Sequence, residues 1–167
     1  MRLIALVAAA LIVSLPASAQ TWKEYSYPDS GFYVHFPADP TIADSSYTMD
    51  GKTVTAKTYS LERENILYAV TVADFSQENM QEEGTIDQAV KQLIADGEVL
   101  MDIPHRINST YGRQLMIKGS DDSRSSVAVF FRDKKLIVAN GKILASNPDK
   151  ATGEGVRFQQ TLGWPGQ

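Results

Sequence analysis

Turn-forming residues divide most of this chain into short runs in which apolar and polar side chains alternate, and this two-residue period predicts β-strands. Pro28-Asp29-Ser30-Gly31 is one turn signal, and Asp50-Gly51 suits the tight turn of a hairpin. The run 66–74 is uncharged on both faces until its last residue, which predicts a central strand covered on both sides. Strands are predicted at 22–27, 32–36, 41–48, 52–61, 66–74, 99–107, 111–118, 125–131 and 135–144.

One segment has the period of a helix instead. Between Thr85 and Asp96, apolar residues recur every three or four positions. Thr85 and Gln88 fit a capping box, and Gly97 stands where a chain leaves a helix in the left-handed conformation. A second, weaker helix is expected after Asn147-Pro148-Asp149. The sequence therefore predicts the α+β class, with an antiparallel β-sheet and helices packed on it.

Residues 1–19 have the pattern of a secretory signal peptide. Arg2 precedes an apolar run from Leu3 to Leu15, and Ala17-Ser18-Ala19 is a small-residue cleavage site. The run is shorter than the roughly 20 residues that cross a bilayer. This length favours cleavage after Ala19 over the alternative, a retained membrane anchor. We expect a periplasmic or secreted product consisting of one domain, residues 20–167, without stable membrane insertion.

The composition excludes several kinds of chemistry. The chain has no cysteine, so thiol nucleophiles, cysteine-ligated zinc and iron–sulfur clusters are excluded. Its two histidines are far apart in sequence and do not form an HExxH motif, and no glycine-rich phosphate loop with a lysine is present. We therefore expect neither a metal site nor a cofactor.

Charge is distributed unevenly along the chain. Residues 20–104 carry a net charge of −10, and residues 105–167 carry +5. One interpretation is a basic surface that binds a partner. The other, which we favour, is that the two halves interleave in one sheet and their charges offset each other. The acidic balance and the lack of a long Lys/Arg block predict no nucleic-acid partner.

Three segments carry a resemblance to a known group of proteins. Gly31-Phe32-Tyr33-Val34-His35-Phe36-Pro37-Ala38-Asp39-Pro40 resembles the GFxVxFPxxP segment of exported bacterial proteins in the PsbP-like α/β sandwich group. The photosystem protein PsbP and the Ran-binding Mog proteins share that fold. The segments 67–75 and 157–162 are similar to later parts of the same pattern. The resemblance implies a sheet-and-helix sandwich over nearly the whole of residues 20–167, with a non-catalytic binding or assembly role.

Five side chains are candidates for partner binding. Arg106, Arg113 and Arg124 are three of the ten Lys and Arg residues in the second half, and Tyr33 and His35 share the face of their strand opposite its apolar residues. The expected partner is an envelope protein or an anionic ligand, which remains unidentified by sequence alone.

The alternative function is that of a small periplasmic hydrolase. In it, His35 or His105 would act with a carboxylate as a general base near neutral pH. No nucleophile motif accompanies either histidine. The sequence therefore favours a non-catalytic module, and we predict that the protein is not an enzyme.

Overall fold

A seven-stranded antiparallel sheet and a separate two-stranded hairpin form the framework of the protein. The computed structural model describes residues 21–166, so the predicted signal peptide and its cleavage site lie outside the described residues. The strands are β1 (Lys23–Tyr27), β2 (Phe32–Phe36), β3 (Thr41–Met49), β4 (Lys52–Arg63), β5 (Ile66–Asp74), β6 (Gly97–Ile107), β7 (Thr110–Gly119), β8 (Arg124–Arg132) and β9 (Lys135–Ile143). The helices are α1 (Glu82–Leu93) and α2 (Glu154–Gln160).

The large sheet has the order β3-β4-β5-β9-β8-β7-β6. Most neighbours are joined by short hairpins whose turn residues have positive φ, as at Asp50 with Gly51 and at Asp133 with Lys134. β5 and β9 are neighbours without being consecutive, and they pair from Ile66–Ile143 to Asp74–Lys135 in the register. The predicted α+β class, with an antiparallel sheet and packed helices, is confirmed.

The basic half of the chain lies between two parts of the acidic half in the sheet. β7, β8 and β9 of the basic half are flanked by β5 on one side and by β6 on the other, and most of β6 precedes residue 105. The expected interleaving is therefore found in the strand order. Opposite charges meet at one of these junctions, where Arg113 on β7 pairs with Asp102 on β6.

Each face of the sheet has its own hydrophobic cluster. On one face, the β1–β2 hairpin and α2 cover the sheet, and the alternation predicted for 32–36 places Phe32, Val34 and Phe36 fully inside. On the other face, α1 buries Ile86, Ala89 and Val90 against β8 and its neighbours. Phe158, Trp164, Tyr68 and Trp22 complete the first cluster, and Phe75, Leu115, Val129 and Leu136 belong to the second.

α1 begins earlier than its capping signal predicts. The helix starts at Glu82, and Thr85 lies inside it, where its hydroxyl donates to the Gln81 carbonyl one turn back. Thr85 is therefore not the N-cap, because its hydroxyl has an acceptor within the helix itself. Gly97 has no positive φ. It opens β6, where an added Cβ would lie 2.6 Å from the Ile117 side chain, so close strand packing explains this glycine.

α2 is held against the sheet by a close approach of two backbones. A Cβ on Gly155 would lie 2.6 Å from the Gly141 carbonyl oxygen, and a Cβ on Gly141 would meet Gly155 at 2.4 Å. Both positions therefore require glycine. This contact fixes the start of α2 over the end of β9.

β5 is central but is not fully covered on both faces. Ile66, Tyr68, Val70 and Val72 are buried on the α2 side, whereas Leu67, Ala69 and Thr71 on the other side are half-buried. The expected double coverage is therefore only partial, because α1 packs mainly on β8 and leaves much of β5 uncovered. Within residues 21–166, no helix is long and apolar enough to cross a membrane.

Candidate functional site

The two histidines lie on different parts of the fold. His35 is on the outer face of β2, where its Nε2 is 3.4 Å from the Glu24 carboxylate and the imidazole is partly exposed. His105 is on β6, with its ring 5.5 Å from that of Phe130, and burial lowers its pKa. His35 therefore has a carboxylate neighbour at the exposed surface, whereas His105 lies against an aromatic ring.

The three candidate arginines do not share a surface. Arg106 and Arg113 are near neighbours at one end of β6 and β7, on the face that α1 covers. Arg124 opens β8 opposite Lys118, at the far end of β7 and on the other face. Tyr33 is on β2, and its backbone pairs with Gly163.

Arg113 is part of an ion-pair network. Its Nε donates to Asp102 Oδ1 at 2.9 Å, its Nη2 donates to Asp102 Oδ2 at 2.5 Å, and its Nη1 donates to Asp87 Oδ1 at 3.2 Å. The bond to Asp102 holds the pKa of the guanidinium above its ordinary value. This arrangement ties edge strand β6 to β7 and to α1.

A cleft of about 530 Å³ opens where the β4–β5 turn meets the segment that leads into α2. We call it the β4–β5 cleft. It combines carboxylates, amides, a guanidinium and an aromatic floor, and sequence reasoning did not single it out. Its lining residues are Arg63, Glu64, Asn65, Ile66, Tyr68, Asn147, Pro148, Asp149, Thr152 and Glu154.

The walls of the cleft are fixed by hydrogen bonds. Glu64 and Asn65 both have positive φ, as a tight turn between β4 and β5 requires. The buried Asn147 donates from Nδ2 to the Glu64 carbonyl at 3.0 Å and accepts from the Asp149 N–H at 2.9 Å. The Ser146 hydroxyl donates to Asn65 Oδ1 at 3.0 Å. The two loops that form the cleft are thus held together without a ligand.

Tyr68 forms the floor. It is 3% exposed, and its ring packs edge-on against Trp22 and Phe158, with centroids 5.4 Å apart in each case. Its hydroxyl makes no hydrogen bond to any residue within 21–166. Burial raises the pKa of this phenol, and the nearby Glu154 and Glu64 carboxylates raise it further. The hydroxyl is therefore protonated at neutral pH and lies within electrostatic range of two cleft carboxylates.

The charge of the lining is negative. Glu64, Asp149 and Glu154 contribute three carboxylates against the single guanidinium of Arg63. Arg63 is already engaged, since its Nε lies 3.3 Å from Glu64 Oε1 and its Nη1 donates to the Pro37 carbonyl. The lining can bind and orient a polar ligand, but it contains no imidazole to act as a base.

Arg157 lies outside the lining, on the Trp22 side. Its guanidinium stands 4.5 Å from the Trp22 ring centroid and 3.8 Å from Glu154 Oε1. In the described part of the chain, no three His, Asp or Glu side chains are grouped so that they could hold a metal ion.

Sequence reasoning missed this site because its parts come from distant segments. The sequence indicates 147–149 only as the segment that introduces the second helix, and nothing in it shows that this segment meets residues 63–65. The buried Asn147, whose amide joins both loops, is the residue that brings them together.

Comparisons with known proteins bear on the fold. No family model matches the chain, and no curated protein matches its sequence. The solution structure of cyanobacterial PsbP (CyanoP) from Synechocystis sp. PCC 6803 matches with a TM-score of 0.58, covering 92% of this chain and 98% of that one. The fold is PsbP-like. Sequence identity to CyanoP is 11%, so the PsbP-like likeness establishes architecture and assigns no ligand. The resemblance carried by segment 31–40 is confirmed at the level of fold.

Proposed function

We propose that the protein is an exported, non-catalytic binding module and that the β4–β5 cleft is its binding site. One observation carries the proposal: the Tyr68 side chain is 3% exposed and lines the cleft, and its hydroxyl has no hydrogen-bond partner within residues 21–166. The hydroxyl is the part of this side chain that reaches the cleft surface, so it is free to bond to whatever occupies the cleft. A ligand in the cleft would supply that bond in place of water.

The surroundings of the two histidines support binding over hydrolysis. The His35–Glu24 pair stands on the outer face of the β1–β2 hairpin, and His105 has an aromatic neighbour. Neither histidine lines the β4–β5 cleft. A general base needs a bound substrate within hydrogen-bond reach, and a ligand held in the cleft would not come within reach of either histidine. The PsbP-like fold, with the non-catalytic role expected from the sequence, adds to this support.

Ligand binding is tested by amide chemical shifts in solution. The protein is expressed with its own N-terminal segment in a bacterial host and purified as processed. Three probes of one size are added separately: butan-1-amine at neutral pH, butan-1-ol and butanoate. We expect at least one to shift amides at Asn65, Ile66 and Asp149, and Tyr68→Phe to weaken that response. If all three leave these amides unchanged, or move other regions more, the cleft is not the binding site.

The hydrolase alternative is tested on the same preparation with p-nitrophenyl esters. We expect the release of p-nitrophenol to stay at the rate given by a double variant, His35→Gln with His105→Gln. Turnover that the double variant loses would contradict the non-catalytic proposal.

Export is tested by intact mass spectrometry of the periplasmic fraction. We expect a chain that begins at Gln20, as cleavage after Ala19 requires. A product that retains residues 1–19 in the membrane fraction would support the retained anchor instead.

A further inference from the structure

We infer that the ligand of the β4–β5 cleft is a small aliphatic amine, bound as its ammonium ion between the cleft carboxylates and the Tyr68 hydroxyl. This inference rests on the proposed function and adds the chemical class of the ligand to it.

The first support is the sign of the charge. Three carboxylates line the cleft, and the single lining cation, Arg63, is already paired with Glu64 and bound to the Pro37 carbonyl. An anion placed there would meet Asp149 and Glu154 at short range, which is costly in a partly enclosed site. A cation would be attracted by the same groups. The cleft therefore does not suit the anionic ligand predicted from the sequence.

The second support is the unpartnered phenol. The raised pKa of Tyr68 keeps its oxygen neutral, so this oxygen can accept a hydrogen bond from an N–H donor. An ammonium group has three donors and no acceptor. It can therefore bond to the phenol oxygen and to carboxylate oxygens at once. A neutral alcohol has one donor and lacks the charge that strengthens such bonds.

The third support is the apolar part of the lining. Ile66 is 4% exposed and Tyr68 is 3% exposed, and both belong to the hydrophobic cluster beneath the cleft. A short aliphatic chain attached to the ammonium group would lie against them. The volume of about 530 Å³ is in the range of small-molecule sites and exceeds what a single ion needs. Both features favour an alkylamine over an inorganic cation.

Arg157 does not make the net charge of the cleft lining positive. Its guanidinium lies over the Trp22 ring and near Glu154, but it is absent from the lining. Glu154 therefore faces Arg157 on one side and the cleft on the other. Removing the Glu154 charge should weaken amine binding while leaving the walls built by Asn147 in place.

The test compares butan-1-ammonium with butan-1-ol, which has a similar size and no charge. Dissociation constants come from titrations followed by the amide shifts of Asn65 and Asp149. We expect the ammonium ion to bind about tenfold more tightly than the alcohol, and to lose most of that preference in about 1 M salt, where the screening length is about 3 Å. Equal binding of both probes would overturn the inference and leave the proposed function standing.

Three variants sharpen the result. Glu154→Gln should weaken ammonium binding by about fivefold, whereas Glu98→Gln removes the same charge from β6 and should have little effect. Tyr68→Phe should weaken binding of both probes, because it removes the acceptor without changing the shape of the floor. A melting temperature for each variant checks its folding. If Glu154→Gln and Glu98→Gln behave alike, the cleft carboxylates do not recognise the amine. If neither probe binds at all, the proposed site itself is wrong.

Discussion

Two buried tyrosines provide a direct test of the unpartnered hydroxyl. Tyr59 and Tyr68 are each 3% exposed and belong to the same hydrophobic cluster. The Tyr59 hydroxyl is 2.6 Å from the Ser30 hydroxyl, whereas that of Tyr68 has no partner within residues 21–166. Replacing each by phenylalanine removes one oxygen atom and keeps the ring, so the pair isolates the value of the hydrogen bond.

The expected costs differ by one hydrogen bond. Tyr59→Phe should lower the free energy of unfolding by about 1 kcal/mol, the usual net value of such a bond. Tyr68→Phe should change it by less than about 0.5 kcal/mol, because no hydrogen bond within the protein is lost. For a domain of this size the first change lowers the melting temperature by about 3 °C.

Urea unfolding followed by tryptophan fluorescence measures both values. Trp22 packs against Tyr68, so unfolding should report directly on this cluster. Ser30→Ala and the double variant with Tyr59→Phe complete a cycle, which should show a coupling energy near 1 kcal/mol. A loss of about 1 kcal/mol or more in Tyr68→Phe would refute the reasoning, since it would mean that the hydroxyl is satisfied in the free protein.

Three further predictions concern other parts of the fold. Burial lowers the pKa of His105. As pH falls, the imidazole is therefore protonated in the unfolded state before it is protonated in the folded state, and stability should fall below about pH 6.5. His105→Gln should flatten that pH dependence in urea titrations. Arg113→Met should cost about 1 kcal/mol and speed hydrogen exchange along β6, because Asp102 loses its bidentate partner; unchanged exchange would contradict this role. Gly155→Ala should lower stability by about 2 kcal/mol in thermal melts, since its Cβ would meet the Gly141 backbone; a neutral result would mean that α2 moves freely away from the sheet.

Strand positions could be predicted from the sequence because local chemistry determines them. Asp50-Gly51 and Arg132-Asp133-Lys134 stand at hairpin turns, and the strands on either side begin and end within about two residues of the prediction. Alternation likewise placed Phe32, Val34 and Phe36 in the core. These features depend on neighbours a few residues away, and the sequence displays such neighbours directly.

The start of α1 and the cleft could not be predicted in the same way. Thr85 is a residue type that commonly caps helices, but its hydroxyl donates to the Gln81 carbonyl instead. That bond depends on the helix having begun one turn earlier, which the residue type of Thr85 does not show. The cleft depends on the meeting of the β4–β5 turn with Asn147, which requires β5 and β9 to be neighbours. That pairing is a property of the whole sheet, and no residue pattern near either segment encodes it.

The junction of β5 with β9 also sets the order in which the protein can complete its fold. β3 to β5 form one series of hairpins and β6 to β9 another, and each series can form from nearby residues. The two are joined only when Asp74 meets Lys135 and Ile66 meets Ile143. During synthesis from the N-terminus, the edge of β5 that pairs with β9 therefore stays unpaired until β9 has been made. That edge is the place where premature aggregation would start and where a chaperone would have most to protect.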